Sequence, residues 1–143
     1  MPKSRTTPLI QYAALPWRKV ADGRIEVMLI TSRETRRWVI AKGWPITGLA
    51  PGDSAAQEAL EEAGVQGEVW AEPVGAYDYE KRLKNGALQP VEVAVFPLRV
   101  QQELDAWPEK GQRERRWFAA AEAAGLVAEP RLSELILDFG GRS

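Results

Sequence analysis

Three glutamates, Glu58, Glu61 and Glu62, have the type and spacing to do chemistry together, because one helical face can carry all of them. Taking ~100° per residue and Glu58 as the origin, Glu62 lies at about +40° and Glu61 at about −60°, within one arc of roughly 100°. Ala56, Leu60 and Ala63 fall on the opposite side, a stripe suited to lie close on a sheet. Carboxylates about 6 Å apart, at an effective dielectric near 20, repel by roughly 2–3 kcal/mol. Glu61 and Glu62 also sit in the last turn, where the helix dipole disfavours anions by a few tenths to ~1 kcal/mol. No Lys or Arg within residues 54–63 offsets either effect. Such a face is uncomfortable alone and comfortable around a divalent cation. An amphipathic helix whose polar face happens to be acidic has the same pattern, and the helix by itself does not decide.

Composition narrows the chemistry. The chain of 143 residues has no Cys and no His, which removes disulfides, thiolate nucleophiles, zinc-thiolate sites and the commonest general base. Catalysis must rest on Asp, Glu, Lys, Arg, Tyr, Ser or Thr, and a metal must be held mainly by oxygen, which favours Mg²⁺, Mn²⁺ or Ca²⁺. The net charge of −1 argues against a general nucleic-acid binder, but the charges are segregated. Between Gly43 and Glu80 there is no Lys or Arg, only the acids Asp53, Glu58, Glu61, Glu62, Glu68, Glu72, Asp78 and Glu80. Arg33, Arg36, Arg37 and Lys42 precede that stretch, Lys81, Arg82 and Lys84 follow it, and Lys110, Arg113, Arg115 and Arg116 come later. Acid in the middle with base on both sides can seat a cation and a polyanion together; several solvated faces would give the same counts.

The elements that must position these residues are short. Residues 9–15 and 24–31 read as strands joined by a turn at Asp22-Gly23, and 38–41 is a third apolar run. Residues 43–52, with three Gly and two Pro, read as a loop. Asp53 or Ser54 is expected to cap the acidic helix, Ser54 with Gln57 matching a capping box, and Gly64 to end it. Residues 69–79 and 91–100 read as two further strands, with a turn signal at Asn85-Gly86 in the polar piece between them. A charged loop over 101–113 leads to a short edge at 115–118, and helices over 119–126 and 131–139 close the chain, Pro130 suiting a helix start. This order predicts one domain over residues 1–143, of α/β class, with a mixed sheet between helices. No apolar run is long enough to span a bilayer, and the polar start at Met1 to Pro8 lacks a signal-peptide core, so the cytoplasm is the expected compartment.

The loop before the helix carries a family resemblance. Gly43-Trp-Pro-Ile-Thr-Gly48, followed by Gln57-Glu58-Ala59-Leu60-Glu61-Glu62-Ala63-Gly64-Val65, resembles the Nudix box. That pattern runs Gly, five residues, Glu, seven residues, then Arg-Glu-apolar-x-Glu-Glu-x-Gly-apolar. The chain keeps Gly43, Glu58, Ala59, Glu61, Glu62, Gly64 and Val65 in register, and departs at Leu49 (a Glu in the family) and Gln57 (the family's Arg, which helps orient the neighbouring acids). Ser32-Arg33 and Arg37-Trp38-Val39-Ile40-Ala41-Lys42-Gly43 are similar to the subgroup that includes diphosphoinositol polyphosphate phosphohydrolases, with Ala41 in place of a Pro. Arg115-Arg116-Trp117-Phe118 before an Ala/Glu-rich helix extends the likeness.

The resemblance implies an α/β/α sandwich with a mixed sheet. It also implies that Glu58, Glu61 and Glu62 are the catalytic acids and hold Mg²⁺ or Mn²⁺, with the Gly43 carbonyl as a further ligand. Phosphate contacts would fall to Arg33, Arg37, Lys42 and Arg115, with Lys81, Arg82 and Arg116 as additional cations. With no His, a carboxylate must take the proton from water: Glu58, or Glu109 or Glu114 from a later loop. Trp44 would stack on a base or cap the core. Tyr79 stands about where dinucleoside-polyphosphate hydrolases of the family carry a Tyr, or simply packs in its strand.

The function expected is metal-dependent cleavage of a phosphoanhydride bond in a small molecule. Nucleoside diphosphate-linked substrates, such as diadenosine polyphosphates, and inositol pyrophosphates are nearest by resemblance. A non-catalytic module sensing a nucleotide and an RNA 5′-pyrophosphohydrolase are the alternatives, and a homodimer is left open. Other motifs fail: Leu49-Ala50 stands where a P-loop needs Lys-Ser/Thr, and no Gly-x-Ser-x-Gly occurs. The basic run Gly111 to Arg116 is too short to argue RNA contact.

Overall fold

Apolar alternation along the first strand fixes the layering. In the computed structural model, which describes residues 7–141, Ala13 and Leu15 of β1 (Leu9–Lys19) enter one buried cluster while Ala14 between them enters another, on the opposite face. β1 runs parallel to β7 (Leu88–Glu103), from Leu9 opposite Val91 to Trp17 opposite Arg99, and antiparallel to β2 (Ile25–Thr31). The short β3 (Trp38–Val39) pairs with β2, and β4 (Lys42–Gly43) with β1. β5 (Val65–Val69) and β6 (Gly75–Arg82) both pair antiparallel with the long β7, and β8 (Arg115–Ala119) with β2. The result is one mixed eight-stranded sheet.

Helices cover both faces. α1 (Pro51–Ala63) lays Ala55, Ala59 and Ala63 against Ala14, Met28, Ile30, Phe96 and Leu98. On the other face, Leu132, Leu135, Ile136 and Phe139 of α3 (Pro130–Gly140), with α2 (Ala120–Leu126), pack on Leu15, Val27, Leu29, Val93 and Val95. This is the α/β/α sandwich expected. No helix among the described residues is long and apolar enough to cross a membrane.

Several elements differ from the sequence reading: β1 runs on to Lys19, β7 spans Leu88–Glu103, and α1 turns Ala55 and Ala59, not Ala56 and Leu60, to the sheet along with Ala63. The strand expected over 69–79 is two strands, because Trp70-Ala71-Glu72-Pro73 turns the chain between Val69 and Gly75. α1 begins at Pro51 rather than near Ser54, after Ala50, which makes no side-chain cap. The capping box is not formed. The Ser54 hydroxyl instead accepts the Ile46 N–H at 3.1 Å, tying the preceding loop to the helix, and Gln57 turns to Glu61. Gly64, left-handed at φ 68°, ends the helix as expected.

Candidate functional site

Because the sheet-facing side of α1 is alanine, the helix lies close to β4, and its acidic side faces the end of that strand. A Cβ at Gly43 would meet the Glu58 carboxyl, so any larger residue there would push that side chain out of its present place. Glu62 is 8% exposed. Burial, first of all, pushes its carboxyl up to about 8; the Arg113 guanidinium opposes this, while a hydrogen bond to Glu58 and the charges of Glu109 and Glu58 add to it. Glu58 is also raised, mainly by burial. The hydrogen bond from Glu62 offsets part of that, and the charges of Glu61 and Glu109 add to it. Both carboxyls therefore hold their protons more tightly than a free carboxylate does, burial being the main cause.

The expectation that all three glutamates converge is corrected. Among the described residues, no group of three acidic side chains stands close enough together to hold a metal ion. Glu61 is drawn aside by Gln57, whose amide donates to it at 3.0 Å. Glu58 and Glu62 form the pair, and Glu109 joins their electrostatic neighbourhood from the segment between β7 and β8. Glu114 does not: it is exposed and bound to Arg116 at 2.7 Å. The donors are of the kind a hard divalent cation takes, all carboxylate oxygen, with Glu62 buried and Glu58 half-buried. Glu58 and Glu62 would hold it, with Glu61 and Glu109 beside them.

A cleft of about 870 Å³ opens next to the pair and is lined by Glu62 and Gly43 together with Arg33, Arg37, Lys42, Lys81 and Arg113. Lys42, whose ammonium lies 4.7 Å from the Tyr79 ring centre, is lowered by burial, with the Glu62 charge working against that. Arg33 donates to Gln112 at 3.2 Å, and Arg37 to Glu129 at 3.3 Å. Both arginines are set by a tight turn in which the Ser32 hydroxyl accepts the Arg37 N–H and Arg36 adopts φ 57°. Trp44, 42% exposed, stands on the cleft wall and not in the core. Tyr79 also lines the cleft, its hydroxyl donating to the buried Gln11 at 2.9 Å.

Arg115 is not in the cleft, and its assignment to phosphate gives way to a structural role. Its guanidinium donates to the carbonyls of Ala63, Gly64 and Leu104 and stacks 4.0 Å from the Trp107 ring centre, completing the C-terminal end of α1. Arg82 and Arg116 also point elsewhere, to Gly86 and to Glu114. Among the charged residues that line the cleft, sequence reasoning gave no site role to Glu34, Arg113 or Glu129. Arg113 appeared only as one cation of a basic run, with no spacing to link it to Glu62. Glu129 preceded a helix-starting proline and gave no other signal.

No family model matches the chain. Over 119 residues, 81% of this chain, it is 32% identical to the Arabidopsis thaliana protein named Nudix hydrolase 12, mitochondrial. It spans 59%, 61% and 62% of the lengths of three such plant relatives, about three fifths. In fold it is similar to a C. elegans Ap4A hydrolase solved as a binary complex (TM-score 0.66, 19% identity, 92% of this chain and 94% of that one). It is also similar to the Nudix domain of Shewanella oneidensis NrtR solved with ADP ribose (TM-score 0.64, 13% identity, 97% and 92% covered). With the box residues in register from Gly43 to Val65 and a mixed sheet between helices, the chain resembles Nudix hydrolases in both sequence and fold.

Proposed function

We propose that this protein is a metal-dependent hydrolase of a phosphoanhydride bond in a nucleoside diphosphate-linked or inositol pyrophosphate substrate. The observation that carries the reading is a juxtaposition: the Glu58–Glu62 pair adjoins a cleft whose walls present Arg33, Arg37 and Lys42. Carboxylates next to guanidinium and ammonium groups suit a cation and a polyphosphate bound side by side. A divalent ion, Mg²⁺ or Mn²⁺, supplies charge to phosphate oxygens and acidifies water when bound. Arg33 and Arg37 fork onto phosphate oxygens, and Lys42 places a point charge deeper in the cleft. Glu58 or Glu109 accepts the proton of the attacking water, since Glu114 lies apart. Trp44 and Tyr79 offer rings to a nucleobase. The similar folds of the Ap4A hydrolase and of the ADP-ribose complex support a nucleotide-bearing substrate.

A panel assay with Mg²⁺ or Mn²⁺ tests the reading. It should compare dinucleoside polyphosphates, ADP-ribose, inositol pyrophosphates and 5′-triphosphorylated RNA. Turnover of either small-molecule class is the expected result. Turnover of RNA alone would transfer the protein to 5′-end processing. Leu49, exposed where the family has Glu, and Gln57 favour one other reading, a nucleotide sensor without catalysis. Tight nucleotide binding with no turnover anywhere in the panel would establish that instead.

A further inference from the structure

α1 carries no Lys or Arg, and Gln57 stands where the family motif has Arg, yet a guanidinium still reaches its acidic face. It comes from residues 104–114, between β7 and β8. That segment is fastened to the end of α1 through the carbonyls the helix leaves unpaired. The Glu109 N–H donates to the Glu61 carbonyl at 3.1 Å, the Trp107 indole to that of Glu62 at 3.2 Å, and the Leu104 N–H to that of Gly64 at 2.8 Å. Arg113 is thereby carried to the carboxylates with its side chain 10% exposed.

Its contacts are unequal. Nε donates to Glu109 Oε1 at 2.6 Å and Nη1 to the Thr31 carbonyl at 3.1 Å, both full hydrogen bonds. Nη2 stands 3.6 Å from Glu62 Oε1, beyond hydrogen-bond reach, so this contact is electrostatic and can be given up without unseating the other two. Arg113 also lines the cleft.

We propose that Arg113 is the resident counter-ion of Glu62, and that it and a divalent cation are alternative partners for that carboxylate. Anchored by Glu109 and Thr31, the guanidinium stays in place when a cation enters, and its released Nη2 arm faces the anionic substrate in the cleft. The inference rests on the reading of Glu58 and Glu62 as metal ligands, and it gives competition a sign. A guanidinium that only positioned Glu62 would help the cation bind; a counter-ion opposes it.

Mn²⁺ binding without substrate, measured by calorimetry together with the Mn²⁺-induced shift in melting temperature, separates the two. Arg113→Gln should bind Mn²⁺ about tenfold more tightly than wild type, the effect of removing one unit charge one side-chain length from a divalent ion under water-like screening. Its melting temperature should rise more on adding Mn²⁺, and 1 M salt should shrink the difference. Arg113→Lys, which keeps the charge, should stay within roughly threefold of wild type. Glu109→Gln should bind several-fold more weakly, because it removes an anion and lets the guanidinium settle on Glu62. Equal or weaker binding by a folded Arg113→Gln would overturn the proposal. If that variant does not fold, Glu109→Gln binding as tightly as wild type would do so. Wild type that binds no Mn²⁺, or a Glu58→Gln/Glu62→Gln variant that binds it unchanged, would reject the metal site itself and the exchange with it.

Discussion

The two faces of the sheet are packed by different rules. Toward α3, long apolar side chains interlock: Leu132, Leu135, Ile136 and Phe139 against Leu15, Val27, Leu29, Val93 and Val95. Toward α1, the helix contributes only Ala55, Ala59 and Ala63, and the same helix buries Glu62. Large side chains remove much apolar area from water and hold the fold together. Alanines remove less, but they let the backbone of α1 come close enough to set Glu58 over Gly43. Burying a carboxyl beside another opposes folding. One face therefore supplies cohesion, and the other holds charge in a position it would not choose alone.

If that division is right, the two faces should respond oppositely to substitution. Glu58→Gln/Glu62→Gln should lower metal-dependent phosphoanhydride hydrolysis by roughly a thousandfold or more, about 4 kcal/mol of barrier. The melting temperature of the metal-free variant should stay level or rise, since the amides carry no charge to bury. A steady-state assay and a thermal scan in chelator check both halves. A melting temperature that drops as far as in a core variant would show that these acids stabilise the fold, and the contrast between the faces would fail.

Phe139→Ala is the matching change on the α3 face. The ring is buried and meets Trp17 and Trp70 edge-on, at 5.4 and 5.6 Å between centroids. Its removal should cost about 3–5 kcal/mol of stability, read by denaturant unfolding. Mn²⁺ affinity, measured where the variant is still folded, should not change. A change in affinity would mean that the two faces are mechanically coupled through the sheet.

The same contrast explains what was legible in the sequence. The helices, most of the strands and the glycine stop at Gly64 follow from local spacing and stand in the structure. The break at Trp70 to Pro73 was hidden inside an otherwise strand-like run. The helix start was misplaced because Ser54 fits a cap pattern while Pro51 had already begun the turn. The separation of Glu61 from Glu58 and Glu62 depends on the Gln57 amide, which the helical wheel does not weigh. The arrival of Arg113 depends on how residues 104–114 settle on the end of α1, a contact across about fifty residues of chain that no local pattern encodes. Arg33, Arg37 and Lys42, named from the family resemblance, line the cleft; Arg115, named on the same grounds, does not.

Arg115 gives the smallest and sharpest separation. A guanidinium in the cleft and one under a helix end look alike in sequence, but they fail differently. Arg115→Met leaves the carbonyls of Ala63, Gly64 and Leu104 short of donors and removes the stacking on Trp107. Hydrogen bonds to a charged group contribute about 1.5–3 kcal/mol, so the variant should lose about 2–3 kcal/mol of stability with KM for the best substrate of the panel unchanged. Arg33→Met, whose guanidinium is exposed and lines the cleft, should leave the melting temperature alone and raise KM several-fold. A raised KM in Arg115→Met at full stability would return that residue to the substrate and require residues 104–114 to move when it binds.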